Sequence, residues 1–252
     1  MKKNALFLFL VLISTASFSQ NIADGISEEW KTPLKYQDTQ AHLQYDVTNN
    51  DSILFVCIRI PDSKFQMKCA RAGMSLYIDS TGKKKQVMSL NFPIKPTENT
   101  PEKMERPGGR PDKKQLKASI LPALKTFNTN GFISGNGTYI LKNMEGVIAA
   151  SSFDSLDILT IEYQIPLKTC FHKLTSSDKG KVITLSLVVK GLPPPQMDGG
   201  PDGGGPPMGG GGPPMGGGPP MGPGGDAPNF QEMEELFQSS TTILKYELLL
   251  NK

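Results

Sequence analysis

Histidine is almost missing from this chain, with two in 252 residues. Histidine is the one side chain whose ordinary pKa falls between about 5 and 8, so little capacity is left for proton transfer near neutrality. No Gly-x-Ser-x-Gly elbow and no His-Glu-x-x-His helix occurs either. Serine hydrolases of the elbow type and helix-borne zinc proteases are therefore excluded as motif classes. A surplus of one charge is missing too: 27 basic residues face 24 acidic ones, for a net +3. Nothing in that balance points to nucleic acid. Past the first residues no apolar run approaches the roughly 20 positions that span a bilayer, so no transmembrane segment is expected in the mature chain. There is one tryptophan, and there are three cysteines, so at most one internal disulfide can form.

The first nineteen residues read as a signal peptide. Lys2 and Lys3 form a positive start, Ala5 to Ile13 an apolar run, and Ser17-Phe18-Ser19 a small-residue cleavage site. Cleavage is expected before Gln20, which makes the protein exported, either periplasmic or secreted. In such a compartment Cys69 and Cys170 are the expected pair. Cys57 lies inside an apolar run and reads as a buried, inert thiol. With His172 as the one histidine near these positions, the spacing fits neither a zinc nor a haem pattern. No metal and no cofactor is expected.

Alternation dominates the rest. Leu43, Tyr45 and Val47 alternate with His42, Gln44 and Asp46, and Leu54, Val56, Ile58 and Ile60 alternate with Phe55, Cys57 and Arg59. The two runs meet at Asn49-Asn50-Asp51 and read as antiparallel neighbours. Further strands are predicted at 74–79, 86–92, 139–149, 156–165, 182–190 and 241–250. Eight strands with short turns predict an all-β, antiparallel β-sandwich. Helices are predicted at 114–128, from Leu116, Ile120, Leu124 and Phe127 with a break at Pro122, and at 229–238.

Two segments interrupt the pattern. Residues 95–114 are polar and rich in both charges, and 193–228 are almost all Gly, Pro and Met. Neither holds enough apolar surface to offset the entropy of ordering, so both are expected to be flexible insertions in one domain spanning 20–252. The strand signal after the second tract predicts that the chain returns to the sandwich beside 182–190. Met208, Met215 and Met221 each follow Pro-Pro, and Met197 precedes them. Thioethers suit Cu(I), but no histidine or cysteine accompanies them, and the tract reads as a polar loop.

Ser80-Thr81-Gly82-Lys83 has the look of a phosphate loop without the upstream glycine. It reads as a hairpin turn with Gly82 in the left-handed position. Asp46, Asp51, Asp62 and Asp79 follow no calcium-loop spacing and read mainly as turn and cap residues.

Residues 24–79 carry a resemblance. "IADGISEEW", "HLQYDVTNNDSILFVCIRIPDSKF" and "GMSLYIDSTGKK" resemble the opening of family 9 carbohydrate-binding modules and the related DOMON-like domains. Glu162 with Ile165-Pro166 is similar to the end of that family's paired strands. The resemblance implies a non-catalytic binding module, for carbohydrate, with a glycan or an envelope protein as partner. The alternative is an envelope structural or protein-interaction domain without a sugar ligand. In such modules aromatic rings stack on sugars, which makes Trp30, Tyr36 and Tyr77 the candidate ligand residues, with Tyr139 a further stand-in. Trp30 also has a plainer reading, as a plug for one end of the sandwich.

Overall fold

The computed structural model describes residues 22–83, 85–94, 113–141, 146–193 and 230–250. The expected signal peptide, the greater part of 95–114 and nearly all of 193–228 lie outside the described residues. Eleven strands among the described residues form two antiparallel sheets that pack face to face. One sheet, in the order β1-β2-β3-β9-β8, comprises β1 (Tyr36–Asp38), β2 (Leu43–Asn49), β3 (Ile53–Ile60), β9 (Leu159–Pro166) and β8 (Ile148–Phe153). The other, in the order β11-β10-β4-β5-β6-β7, comprises β11 (Ser240–Glu247), β10 (Val182–Val189), β4 (Met74–Asp79), β5 (Met88–Phe92), β6 (Thr126–Asn130) and β7 (Gly137–Ile140). The predicted all-β sandwich is the fold observed.

The alternation of β2 and β3 explains their pairing. Asn50 folds the chain back by accepting from the Ser52 and Ile53 amides at 2.9 and 2.8 Å, which sets Val47 opposite Val56. A one-residue slip would turn Leu54, Val56 and Ile58 away from the core, so register is tightly specified. These side chains meet Leu76, Ile78, Leu90, Ile183 and Leu185 of the facing sheet in one apolar layer. Full burial of each such side chain contributes about 1.5–3 kcal/mol.

Helix α1 (Ser63–Ala72) carries the chain from β3 in one sheet to β4 in the other. The sequence reading missed it, although Pro61-Asp62-Ser63 is a start signal. Asp62 caps it by accepting from the Lys64 amide at 2.7 Å. Gly73, at φ +84°, ends it. Phe65 and Cys69 face the core. Lys68 is buried and donates to the Glu235 carbonyl at 2.7 Å, which ties α1 to α4 (Phe230–Phe237). Helix α3 (Leu167–Cys170) is a single turn after β9.

Several expectations change. The helix expected over 114–128 is α2 (Lys113–Ile120) and no more; Pro122 offers no amide to continue it, and Thr126–Asn130 form β6, where Phe127 is fully buried. The run 139–149 is two strands in different sheets, β7 and β8, with Gly146 at φ +69° before the second. The strand expected at 156–165 begins later, because Asp154–Asp157 form a turn. Thr241–Leu250 shortens to β11, which does pair with β10 as expected. Gly82 adopts φ +70° in its turn.

The disulfide expected between Cys69 and Cys170 is absent. Cys57, Cys69 and Cys170 are free and buried. Burial pushes the Cys69 thiol up to about 12 and the Cys170 thiol to about 11, and it raises Cys57 further still. Reaction with a thiol-specific reagent is therefore expected to be negligible in the native state and to reach three thiols in denaturant. Fast native labelling would show that one of these sites opens.

Candidate functional site

At one end of the sandwich the turn between β8 and β9 stands opposite the start of α1, with α2 beside both. Between them lies an open cleft of about 310 Å³ lined by Pro61, Asp62, Ser63, Lys64, Gln66, Lys117, Phe153, Leu156 and Asp157. That volume lies at the lower end of the roughly 300–1,000 Å³ usual for small-molecule sites.

The walls are fixed by backbone bonds. Asp154 accepts from the Leu156 and Ile158 amides at 2.8 and 2.9 Å, which folds the turn and places Asp157 at φ +60°. Aspartate tolerates this left-handed conformation better than most residues. Burial works against ionisation of Asp154, but those amides and the Arg59 guanidinium, at 2.8 Å, hold its carboxyl below the usual range. Buried Gln66 then stitches α1 to the turn, its Nε2 donating to the Ile60 and Asp157 carbonyls, each at 2.8 Å.

On this rigid frame sit four charged side chains, two of each sign. Lys117 Nζ lies 2.9 Å from Asp157 Oδ1 and 4.7 Å from the centre of the Phe153 ring. The pair is well exposed, at 35% and 54% of the two side chains. Such pairs are worth only about 0–1 kcal/mol, so a ligand group can enter between them at small cost. Leu156, 76% exposed, forms an apolar rim.

The aromatic residues singled out from the sequence as ligand contacts lie elsewhere, and the structure does not bring them together. Trp30 is 7% exposed. It does not plug an end of the sandwich; it packs with Leu34, Phe55 and Cys57 on the outer face of the five-stranded sheet. Tyr36 stacks on Tyr45 at 5.2 Å along the edge of that same sheet. Tyr77 is half-buried on the six-stranded sheet, between Ser186 and Ser89. Its neighbours Leu76 and Ile78 point inward, so Tyr77 points out on the opposite side of the molecule from Trp30. Tyr139 packs on Phe127.

The four aspartates weighed as calcium ligands are likewise dispersed. Asp46 is on β2, Asp51 in the following turn, Asp62 at the α1 cap and Asp79 at the end of β4. Asp79 accepts from the Thr81 and Lys85 amides at 2.8 Å each. Burial opposes its ionisation, yet the Thr81 hydroxyl and these amides hold its carboxyl below the ordinary range.

A different carboxylate group does converge. Asp24, Glu29 and buried Glu162 each place an oxygen within 4.8 Å of the others. Glu162 Oε2 accepts from the Asp24 and Gly25 amides at 3.1 and 2.8 Å, and Oε1 accepts from the Trp30 indole at 2.6 Å.

The cleft was hidden from sequence reading because its residues come from three separated stretches. The one signal available was Asp154-Ser155-Leu156-Asp157, a turn with an apolar residue at its tip. No helix among the described residues is long and apolar enough to cross a membrane. Compared with known proteins, the chain matches no family model and no curated protein.

Proposed function

We propose that this protein is an exported, non-catalytic binding module that holds a carbohydrate in the cleft between α1, α2 and the β8–β9 turn. The observation that carries this is the Lys117–Asp157 pair set against the Phe153 ring. A sugar hydroxyl both donates and accepts, so adjacent hydroxyls satisfy a carboxylate and an ammonium group together without changing net charge. The C–H face of a pyranose is apolar and suits Phe153 and Leu156. Asp62, Lys64, Lys117 and Asp157 together are neutral, which favours a neutral sugar over a charged ligand.

The same geometry favours binding over catalysis. Hydrolysis of a glycoside uses one carboxyl as acid and a second as base or nucleophile. Here one oxygen of Asp62 is occupied by the helix cap, and Asp157 is paired to a lysine.

The test is a glycan array probed with the chain lacking its first nineteen residues, followed by titration of any ligand found. Lys117→Ala and Phe153→Ala are expected to weaken binding at least about tenfold, equivalent to roughly 1.4 kcal/mol, with the circular dichroism spectrum unchanged. A blank array, or a glycan whose affinity ignores both substitutions, would overturn the proposal. A blank array with a co-purifying envelope protein would favour the interaction-domain reading.

A further inference from the structure

We infer that residues 24–34 form a pH-sensitive strap on the outer face of the five-stranded sheet, fastened by Glu162, tight when that carboxyl is protonated and loosened when it is not. The inference is independent of the cleft and its ligand.

The strap has one principal anchor and a tight seat. Glu162, 2% exposed at the middle of β9, takes hydrogen bonds from three strap groups: the Asp24 amide, the Gly25 amide and the Trp30 indole. Gly25 lies so close to β8 that a Cβ there would come within 2.7 Å of the Ser151 backbone. Its carbonyl also accepts from the Ser152 hydroxyl at 2.5 Å. Beneath Trp30 and Leu34 the sheet offers Phe55 and Cys57, an apolar patch that the strap covers.

The surroundings of Glu162 decide its response to pH. From the strap, Asp24 and Glu29 bring two further carboxylates within 4.8 Å. From β3, Cys57 lies directly opposite, and its thiol, raised by burial, stays neutral. Arg59, one step along that outer face, is held by Asp154 at 2.8 Å. Asp46, on the neighbouring strand β2, adds negative charge near Cys57. From β8 the opposed residue is Ala150, which carries no charge.

Burial pushes Glu162 up to about 7, against the lowering effect of the Gly25 and Trp30 hydrogen bonds, and the Glu29 charge adds to the rise. A folded-state pKa above the ordinary carboxylate value means that stability is fully present below about pH 4.5 and is lost as pH rises through about 7. Once ionised, Glu162 is a buried charge beside two other carboxylates, and lifting the strap lets water reach all three.

Trp30 is the sole tryptophan, which makes the test direct. In a proton–nitrogen spectrum its single indole N–H signal is expected to titrate with a midpoint near 7. Acrylamide quenching of its fluorescence is expected to rise at least about twofold between about pH 5.5 and about pH 8.5. Glu29→Gln should lower the midpoint, and Glu162→Gln should abolish the transition while leaving the tryptophan shielded at both pH values. A flat indole signal in the parent protein would overturn the inference, and so would a transition that survives in Glu162→Gln. The parent spectrum alone decides the question if that variant does not fold.

Discussion

Trp30→Ala is expected to destabilise the protein by about 3–5 kcal/mol, the usual cost of truncating a buried aromatic, measured as a lower urea midpoint with an unchanged slope. The indole fills the space between Leu34, Phe55 and Cys57, and its removal leaves a void that this rigid sheet face is poorly able to close. The substitution also strips Glu162 of its 2.6 Å donor, and a buried carboxyl that loses a partner costs more than the hydrogen bond gained on folding. Trp30→Phe separates the two contributions, since it keeps much of the packing and loses only the N–H. Its expected cost is about 1–3 kcal/mol at a pH where the strap is seated and the indole bond to Glu162 is made. A stable Trp30→Ala variant would mean that the strap does not hold the fold and would restore Trp30 as a ligand platform.

Gly131→Ala is expected to cost at least about 2 kcal/mol, and Gly135→Ala, four residues on, only about 1 kcal/mol. The two glycines have nearly the same backbone, φ +77° and +76°, so the strain of a left-handed alanine is common to both. They differ in surroundings. A Cβ on Gly131 would lie 2.0 Å from the Val87 carbonyl oxygen, whereas nothing lies within 4 Å of one on Gly135. The gap between the two thermal midpoints measures how closely the turn after β6 is pressed against the chain leading into β5. Equal midpoints would show that this contact yields freely.

Much of the sandwich was legible because strand alternation is a local signal. Leu43 to Val47 and Leu54 to Ile60 sort their residues inward and outward with no help from the rest of the chain. The failures came where a local pattern serves more than one structure. Leu116, Ile120, Leu124 and Phe127 have helical spacing, yet the chain leaves the helix at Ile120 and buries Phe127 from a strand. Tyr139 and Ala149 belong to one β-rich run and to two different sheets. Spacing gave no ground for rejecting a Cys69–Cys170 bridge, because the position of two thiols in space is a property of the whole fold.

The candidate sites were less legible still. Glu162 stood out only as part of a strand ending, and its partners Asp24, Gly25 and Trp30 lie more than 130 positions earlier in the chain. The cleft joins Asp62, Lys117 and Asp157, none of which points to the other two from its own neighbourhood. A cap residue, a helix lysine and a turn aspartate become a site only when tertiary packing sets them side by side.

Asn49 adds a constraint on the timing of folding. Its amide donates to the Leu249 carbonyl and its oxygen accepts from the Leu249 amide and the Tyr246 hydroxyl, each at 2.9 Å and across some 200 positions of sequence. Leu248 and Leu250 fill the core just beyond. The interior around Asn49 therefore stays unsealed until residues 246–250 are available, and long-range closure of this kind is slow. Until then the buried side of β2 lacks the polar partners that Asn49 finds in Tyr246 and Leu249. Pairing of β11 with β10 is thus the step that brings distant ends of the described chain together and closes the core between them.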